Sequence, residues 1–276
     1  MQVIEQFIQA KNGDMTTCED GYIYNENFVA VVDGATNKSG ILYDQESPGR
    51  IAMTLAIKAI EQLDPTINAH TAFNHVNQAL HNYYTKRGIL EVVTKNPPSR
   101  CTASCVIYSV FRHELWFLGD CMALVDNHSV QFQKETDSVL SNLRALLIHV
   151  AISQGTTVNE LLEHDTCREQ IIPFLNQQAI LQNSAYESDF TYYALDGITS
   201  IPKNHIHVTP LSPNTKEIVL SSDGYPSLKP TLQATEDHLA YILQEDPLCY
   251  TLYRSTKGLV QGNLSYDDRV YVRFTR

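Results

Sequence analysis

The chain has 276 residues, 31 acidic against 20 basic side chains, and a formal net charge of −11 at pH 7. That balance excludes the basic face a general nucleic-acid binder needs, and a hydrophobic content of 43% excludes a disordered chain. No run reaches the roughly 20 apolar residues that span a bilayer, and the opening MQVIEQFIQAKNGD lacks the basic and apolar stretches of a secretion signal. A cytoplasmic protein with neither a membrane nor a nucleic-acid partner is therefore expected.

Taken in chain order, residues 1–10 alternate weakly, as an edge strand does. Residues 22–32 read as a hairpin, YIY and FVAVV about Asn25-Glu26-Asn27. Pro48 opens a helical pattern that runs to Leu63, and a second helix is expected from Ala72 to Lys86. A connector at 90–100 holds Pro97-Pro98 and leads to two strands, 101–110 and 114–125. The stretch SVLSNLRALLIHVAISQG predicts a helix ending at Gly155, and residues 157–178 predict another, interrupted by Pro173. Strands are expected near 191–196, 205–209 and 216–221, helices near 235–245 and 248–260, and then a last strand. Helices fall between groups of antiparallel strands rather than after each strand. That pattern favours an α+β layered fold in one domain, 1–276, with a helical insertion at about 138–180. The six cysteines include no C-x-x-C pair and are expected to be reduced core residues.

Four apolar strand-like runs meet an aspartate at one end. Phe28–Val32 runs into Asp33-Gly34, Leu115–Leu118 into Gly119-Asp120, and Ile218–Leu220 through two serines into Asp223-Gly224. Asp267-Asp268 precedes the last run, Val270–Phe274. Asp-Gly is a common turn dipeptide, and Asp196-Gly197 is another in this chain. A two-residue hairpin, however, would lead at once into a second strand. Asp33-Gly34 instead leads into polar ATNKSG, and Asp223-Gly224 into Tyr225-Pro226. With the last strand antiparallel to its neighbours, the acids would gather at one edge of a sheet. Carboxylates crowded in this way repel unless a cation lies between them, and oxygen-only ligation suits Mg²⁺ or Mn²⁺. His205-Ile206-His207 is a weaker candidate, with both imidazoles on one face of a strand.

The ordered set Glu19-Asp20, Val31-Val32-Asp33-Gly34, Thr102-Ala103-Ser104, Gly119-Asp120-Cys121, Ser222-Asp223-Gly224 and Asp267-Asp268 resembles the metal-dependent serine/threonine protein phosphatases of type 2C. The resemblance covers the whole chain and implies a four-layer α-β-β-α sandwich with two central antiparallel sheets. It implies two Mg²⁺ or Mn²⁺ ions, with a third in many bacterial members. Asp33 would bridge two metals, and the Gly34 carbonyl would ligate one of them. Asp223 and Asp267 would complete one shell, Glu19 and Asp20 would hold the other metal, and Asp120 with Asp223 would take the third. Catalysis would fall to Asp33, Asp223 and Asp267, with phosphoserine or phosphothreonine in a protein hydrolysed by a hydroxide between the metals.

Two departures stand out. Met15 lies where many members carry a phosphate-gripping arginine, with Lys11 nearby as a substitute lacking the bidentate fork. Ala35-Thr36-Asn37 follows Asp33-Gly34, so the histidine sometimes assigned as general acid is missing. Two alternatives stay open, the departures favouring the first of them. One is a weak or inactive member acting as a phosphoprotein-binding scaffold; the other is a di-metal hydrolase of small phosphate esters.

Overall fold

The computed structural model describes residues 1–276. Its strands are β1 (Gln2–Gln9), β2 (Asp20–Tyr24), β3 (Phe28–Gly34), β4 (Ala103–Ser109), β5 (Glu114–Leu118), β6 (Met122–Val125), β7 (His128–Gln131), β8 (His207–Pro210), β9 (Glu217–Ser221) and β10 (Arg269–Thr275). They form two antiparallel five-stranded sheets, ordered β1-β10-β9-β6-β7 and β2-β3-β4-β5-β8. The helices are α1 (Pro48–Glu61), α2 (Ala69–Arg87), α3 (Leu90–Lys95), α4 (Glu135–Ser153), α5 (Val158–Glu163), α6 (Thr166–Gln177) and α7 (Leu232–Glu245).

Strand alternation builds the layers. In β3, Val29 and Val31 face the second sheet, where they meet Ile218, Leu220, Val270, Val272 and Phe274. Phe28, Ala30 and Val32 point the other way, into a larger core under α1 and α2 with Ile51, Ala56, Phe73 and Leu80. The outer face of the first sheet packs Val219 and Tyr271 on Leu239 of α7 and on Tyr225, Cys249 and Tyr266. The architecture is thus an α+β sandwich of two antiparallel sheets with helices on both sides. The helical segments α4 to α6 pack in two small cores, Ile148 with Leu161, Cys167 and Leu248 of the late segment, and Leu140 with Ile171 and Leu175. All six cysteines are buried free thiols. No helix is long and apolar enough to cross a membrane.

Several expected elements take another form. The strand expected over 114–125 is two strands in different sheets. Gly119 breaks it with φ +91°, and a Cβ there would lie 2.3 Å from Ser104 Oγ. Residues 191–196 pair only through isolated bridges at Tyr192 and Leu195, because Asp196 then turns the chain by accepting the N–H groups of Ile198 and Thr199. Pro173 lies inside α6, and the break falls earlier, where Asp165 caps the helix by accepting from Arg168 N–H. Residues 248–260 form no helix. The Asp246 carboxylate accepts the N–H groups of Tyr250, Thr251 and Leu252 from outside a helical ladder. Arg144 meanwhile takes the carbonyls of Leu248 and Ser255. His205 precedes β8 and stacks on Tyr193, whereas His207 stacks on Phe132, so the two imidazoles form no pair.

Arg144 is fully buried on α4 and also grips Asp165 at 3.0 Å through Nε. Truncating one partner of such a pair strands the other charge and, here, the carbonyls as well. Arg144→Ala should cost about 3 kcal/mol of stability, read as a lowered midpoint in urea denaturation. A midpoint unchanged within error would show that other contacts hold α4 to the 246–258 segment.

Candidate metal centre

The inward row of β3 runs Val29, Val31, Asp33, so the apolar inter-sheet core ends on a carboxylate. Register places Asp20 of β2 directly opposite Asp33, with Ser104 of β4 on its other side. Two like charges as cross-strand partners oppose sheet formation. The second sheet adds its own acids at the same end. β9 leads through Ser222 to Asp223, whose backbone N–H donates to Asp33 Oδ2 at 3.3 Å and links the sheets. The acids therefore come from both sheets, at one end of the sandwich, rather than from one sheet edge. Gly34 closes the row. A Cβ there would lie 2.3 Å from Gly49 O of α1 and 2.5 Å from Glu19 O, so only glycine lets these backbones approach.

Asp267 and Asp268 divide their work. Asp268 accepts the backbone N–H groups of Lys11 and Glu19, each at 2.8 Å, which ties the end of β1 and the start of β2 to β10. Asp267 lines the cleft and pairs with Lys257, and it lies 3.6 Å from Lys11 Nζ. Glu19 Oε1 accepts from Ser47 Oγ at 2.6 Å. Asp120 accepts from Ser104 Oγ at 2.6 Å and pairs with Lys134 at 2.8 Å. Asp33, Asp120, Asp223 and Asp267 open onto one cleft of ≈ 490 Å³.

Electrostatics splits the acids into two groups. Burial pushes Asp20 well above the usual carboxylate range, and Asp267 and Asp268 push it further. Asp33 is raised by burial, then by Asp20 and Asp120; Asp223 is raised by burial, then by Asp33 and Asp120. Asp33 and Asp223 keep some surface open to the cleft, yet the protein around them still makes burial the leading cause. Burial also works to raise Asp120 and Asp267, but Lys134 holds the first below its ordinary value, and Lys257 with Lys11 holds the second there.

Asp20 Oδ2 is buried without any hydrogen-bond partner. An orphaned carboxylate oxygen beside two aspartates that their partners relieve only in part fits a hard divalent cation. No three His, Cys, Asp or Glu side chains stand close enough together to hold a metal ion as they are placed here, however. An open carboxylate set of this kind matches Mg²⁺ better than a structural metal, because Mg²⁺ keeps several waters.

Sequence reasoning missed Lys134, Lys257, Ser47 and the hydroxyl of Ser104. Lone lysines and serines carry no local pattern, and Lys257 lies in a stretch read as helix. Lys11 is taken up among Glu19, Asp267 and Asp268 at 3.6–3.7 Å. Met15 lies exposed on the preceding loop, and its carbonyl accepts from Arg50 Nη1 at 3.2 Å.

No protein-family model matches the chain, and no curated protein matches it. Solved structures similar to it include the serine/threonine phosphatase Stp1 from Staphylococcus aureus, at 15% identity and TM-score 0.49, covering 100% of this chain and 95% of that one. PppA, described as a key regulatory component of T6SS in Pseudomonas aeruginosa, is similar at 10% identity and TM-score 0.49, covering 100% and 99%. The catalytic domain of the serine/threonine phosphatase PstP, in complex with two manganese ions, is similar at 14% identity and TM-score 0.47, covering 100% and 99%.

Raised carboxylates have a definite linkage sign. With no divalent cation, the native state holds protons on Asp20, Asp33 and Asp223 that the unfolded chain releases above the ordinary carboxylate range. Stability in EDTA should therefore fall as pH rises from about 4 to 7. Asp33→Asn should raise the melting temperature in EDTA at neutral pH and reduce its rise on adding Mn²⁺. A variant that melts below the wild type in EDTA and gains as much from Mn²⁺ would remove Asp33 from the site. The chain itself thus presents two packed antiparallel sheets, helices on both sides and acids gathered at one end.

Proposed function

We propose that the chain hydrolyses phosphoserine and phosphothreonine monoesters in proteins with the help of Mg²⁺ or Mn²⁺. The observation that carries this reading is the Asp20–Asp33 cross-strand pair, with Asp223 beside it and one Asp20 oxygen unpartnered. In this reading Asp33, the Gly34 carbonyl, Asp223 and Asp267 would hold one ion, and Asp33 with Glu19 and Asp20 would hold another. Asp120, with Asp223, would hold a third. When bound, the ions would offset the charge of a phosphate dianion and lower the pKa of a water.

The remaining chemistry belongs to the chain. The Asp223 N–H fixes the rotamer of Asp33, Ser47 that of Glu19, and Ser104 that of Asp120. Held side chains of this kind are what positioned catalysis requires. The cleft receives the phosphorylated side chain of a protein, and its lining is mostly polar. No serine or cysteine nucleophile is needed, and the buried thiols are poorly suited to act as one, since Cys105 and Cys121 are both raised by burial.

A second reading has its own support. Lys11, Lys134 and Lys257 pair with acids of the set and supply positive charge without metal, as a phosphoprotein-binding scaffold would allow. One assay separates the two. Hydrolysis of p-nitrophenyl phosphate and a phosphothreonine peptide should require Mn²⁺ or Mg²⁺ and stop in EDTA. Asp33→Asn and Asp223→Asn should each lower kcat/KM by about a hundredfold or more while staying folded. Turnover retained in either variant would overturn the site. No turnover by a folded, peptide-binding wild type would favour the scaffold.

A further inference from the structure

Most cations that line the cleft are already committed. Arg100 pairs with buried Asp196, Lys134 with Asp120 and Lys257 with Asp267, and Arg254 donates to Asn142. Lys38 has no carboxylate: its Nζ reaches the Thr36 carbonyl at 3.4 Å. Lys257 Nζ comes to the same residue and donates to Thr36 Oγ1 at 3.2 Å. Two ammonium groups thus converge on Thr36, a few residues after Asp33, and the one carboxylate paired with either is Asp267. Arg168 of α6 stands close enough to be felt there, and Asp137 offsets part of the charge without forming an ion pair with Lys38.

The crowding is costly. Burial, then Lys257 and Arg168, bring Lys38 down to about 8. Cations held together with too few anions make a site for an incoming anion. The cleft supplies its position, because Thr36, Lys38 and Lys257 line the same wall system as Asp33 and Asp267. A dianion placed here would meet the two ammonium groups in the cleft that Asp33 and Asp267 also line. That is the arrangement a phosphate ester bound at a metal centre requires.

We propose that Lys38, with Lys257 beside it, anchors the substrate's phosphate, the role that neither Met15 nor the sequestered Lys11 fills. The assignment rests on the phosphatase reading and names the anchor of that same site. Lys38 donates to the non-bridging phosphate oxygens, while Lys257 spans the phosphate and Asp267. The anchor is a pair of point charges on a loop and a late segment, not a bidentate guanidinium.

The test compares wild type, Lys38→Met and Lys38→Arg, with thermal melts as the folding control. In Mn²⁺, Lys38→Met should raise KM for a phosphothreonine peptide and the inhibition constant of inorganic phosphate by about tenfold each. Its kcat should change by less than about threefold, and Lys38→Arg should recover most of the loss. Unchanged KM and phosphate inhibition in Lys38→Met would overturn the anchor and leave the phosphatase reading standing. Where the wild type shows no turnover, that reading falls, and calorimetric titration with inorganic phosphate decides the anchor. Binding about tenfold weaker in Lys38→Met supports it; equal affinity, or no binding by wild type, overturns it.

Discussion

Carboxyl groups crowded at the end of an apolar row, which repel once ionised, organise this molecule. Asp20 and Asp33 face each other across β2 and β3, where the inter-sheet core ends, and Asp223 arrives from the other sheet with its N–H on Asp33. Side chains that repel do not choose such a place; the surrounding backbone imposes it. Close contact of Gly34 with Gly49 and Glu19, the Asp268 clasp on Lys11 and Glu19, and the Ser104–Asp120 bond all fix the frame from outside the cluster. The hydrophobic layers supply the stability against which that repulsion is held.

The lysines modify this picture without removing it. Lys134 and Lys257 hold Asp120 and Asp267 ionised, and Lys11 joins the second. Asp20, Asp33 and Asp223 gain no comparable relief. The cluster thus has a satisfied periphery and an unsatisfied centre. Peripheral lysines hold the outer acids ionised, while burial and their neighbours keep the central acids raised.

Much of the scaffold could be read from residues alone, since apolar runs such as Phe28–Val32 and Val270–Phe274 announce buried strands and end visibly on acids. What escaped depends on partners far along the chain. Residues 114–125 read as one strand because apolar character resumes after Gly119-Asp120-Cys121, and nothing local says that Ser104 crowds the glycine. Residues 248–260 have helical composition, yet Asp246 and Arg144 claim their backbone groups. The choice between Asp267 and Asp268 was equally invisible, because it turns on two N–H groups over 200 positions away. Lys38 and Lys257 lie 219 positions apart and meet only at Thr36.

The crossing at Gly119 has a mechanical consequence. There the chain leaves one sheet at Leu118 and enters the other at Met122, beside the acids, while Asp268 stitches β10 to the start of β2 at the same end. The chain crosses again at the opposite end, from Pro210 of β8 to Glu217 of β9, where Arg276 donates to the Pro213 carbonyl. The two sheets are thus tied at both ends, with side-chain packing between. Sliding of one sheet over the other is resisted at Asp33 and again near Phe274, so amide exchange should be slow along the whole interface and the spacing of the acids is held against shear.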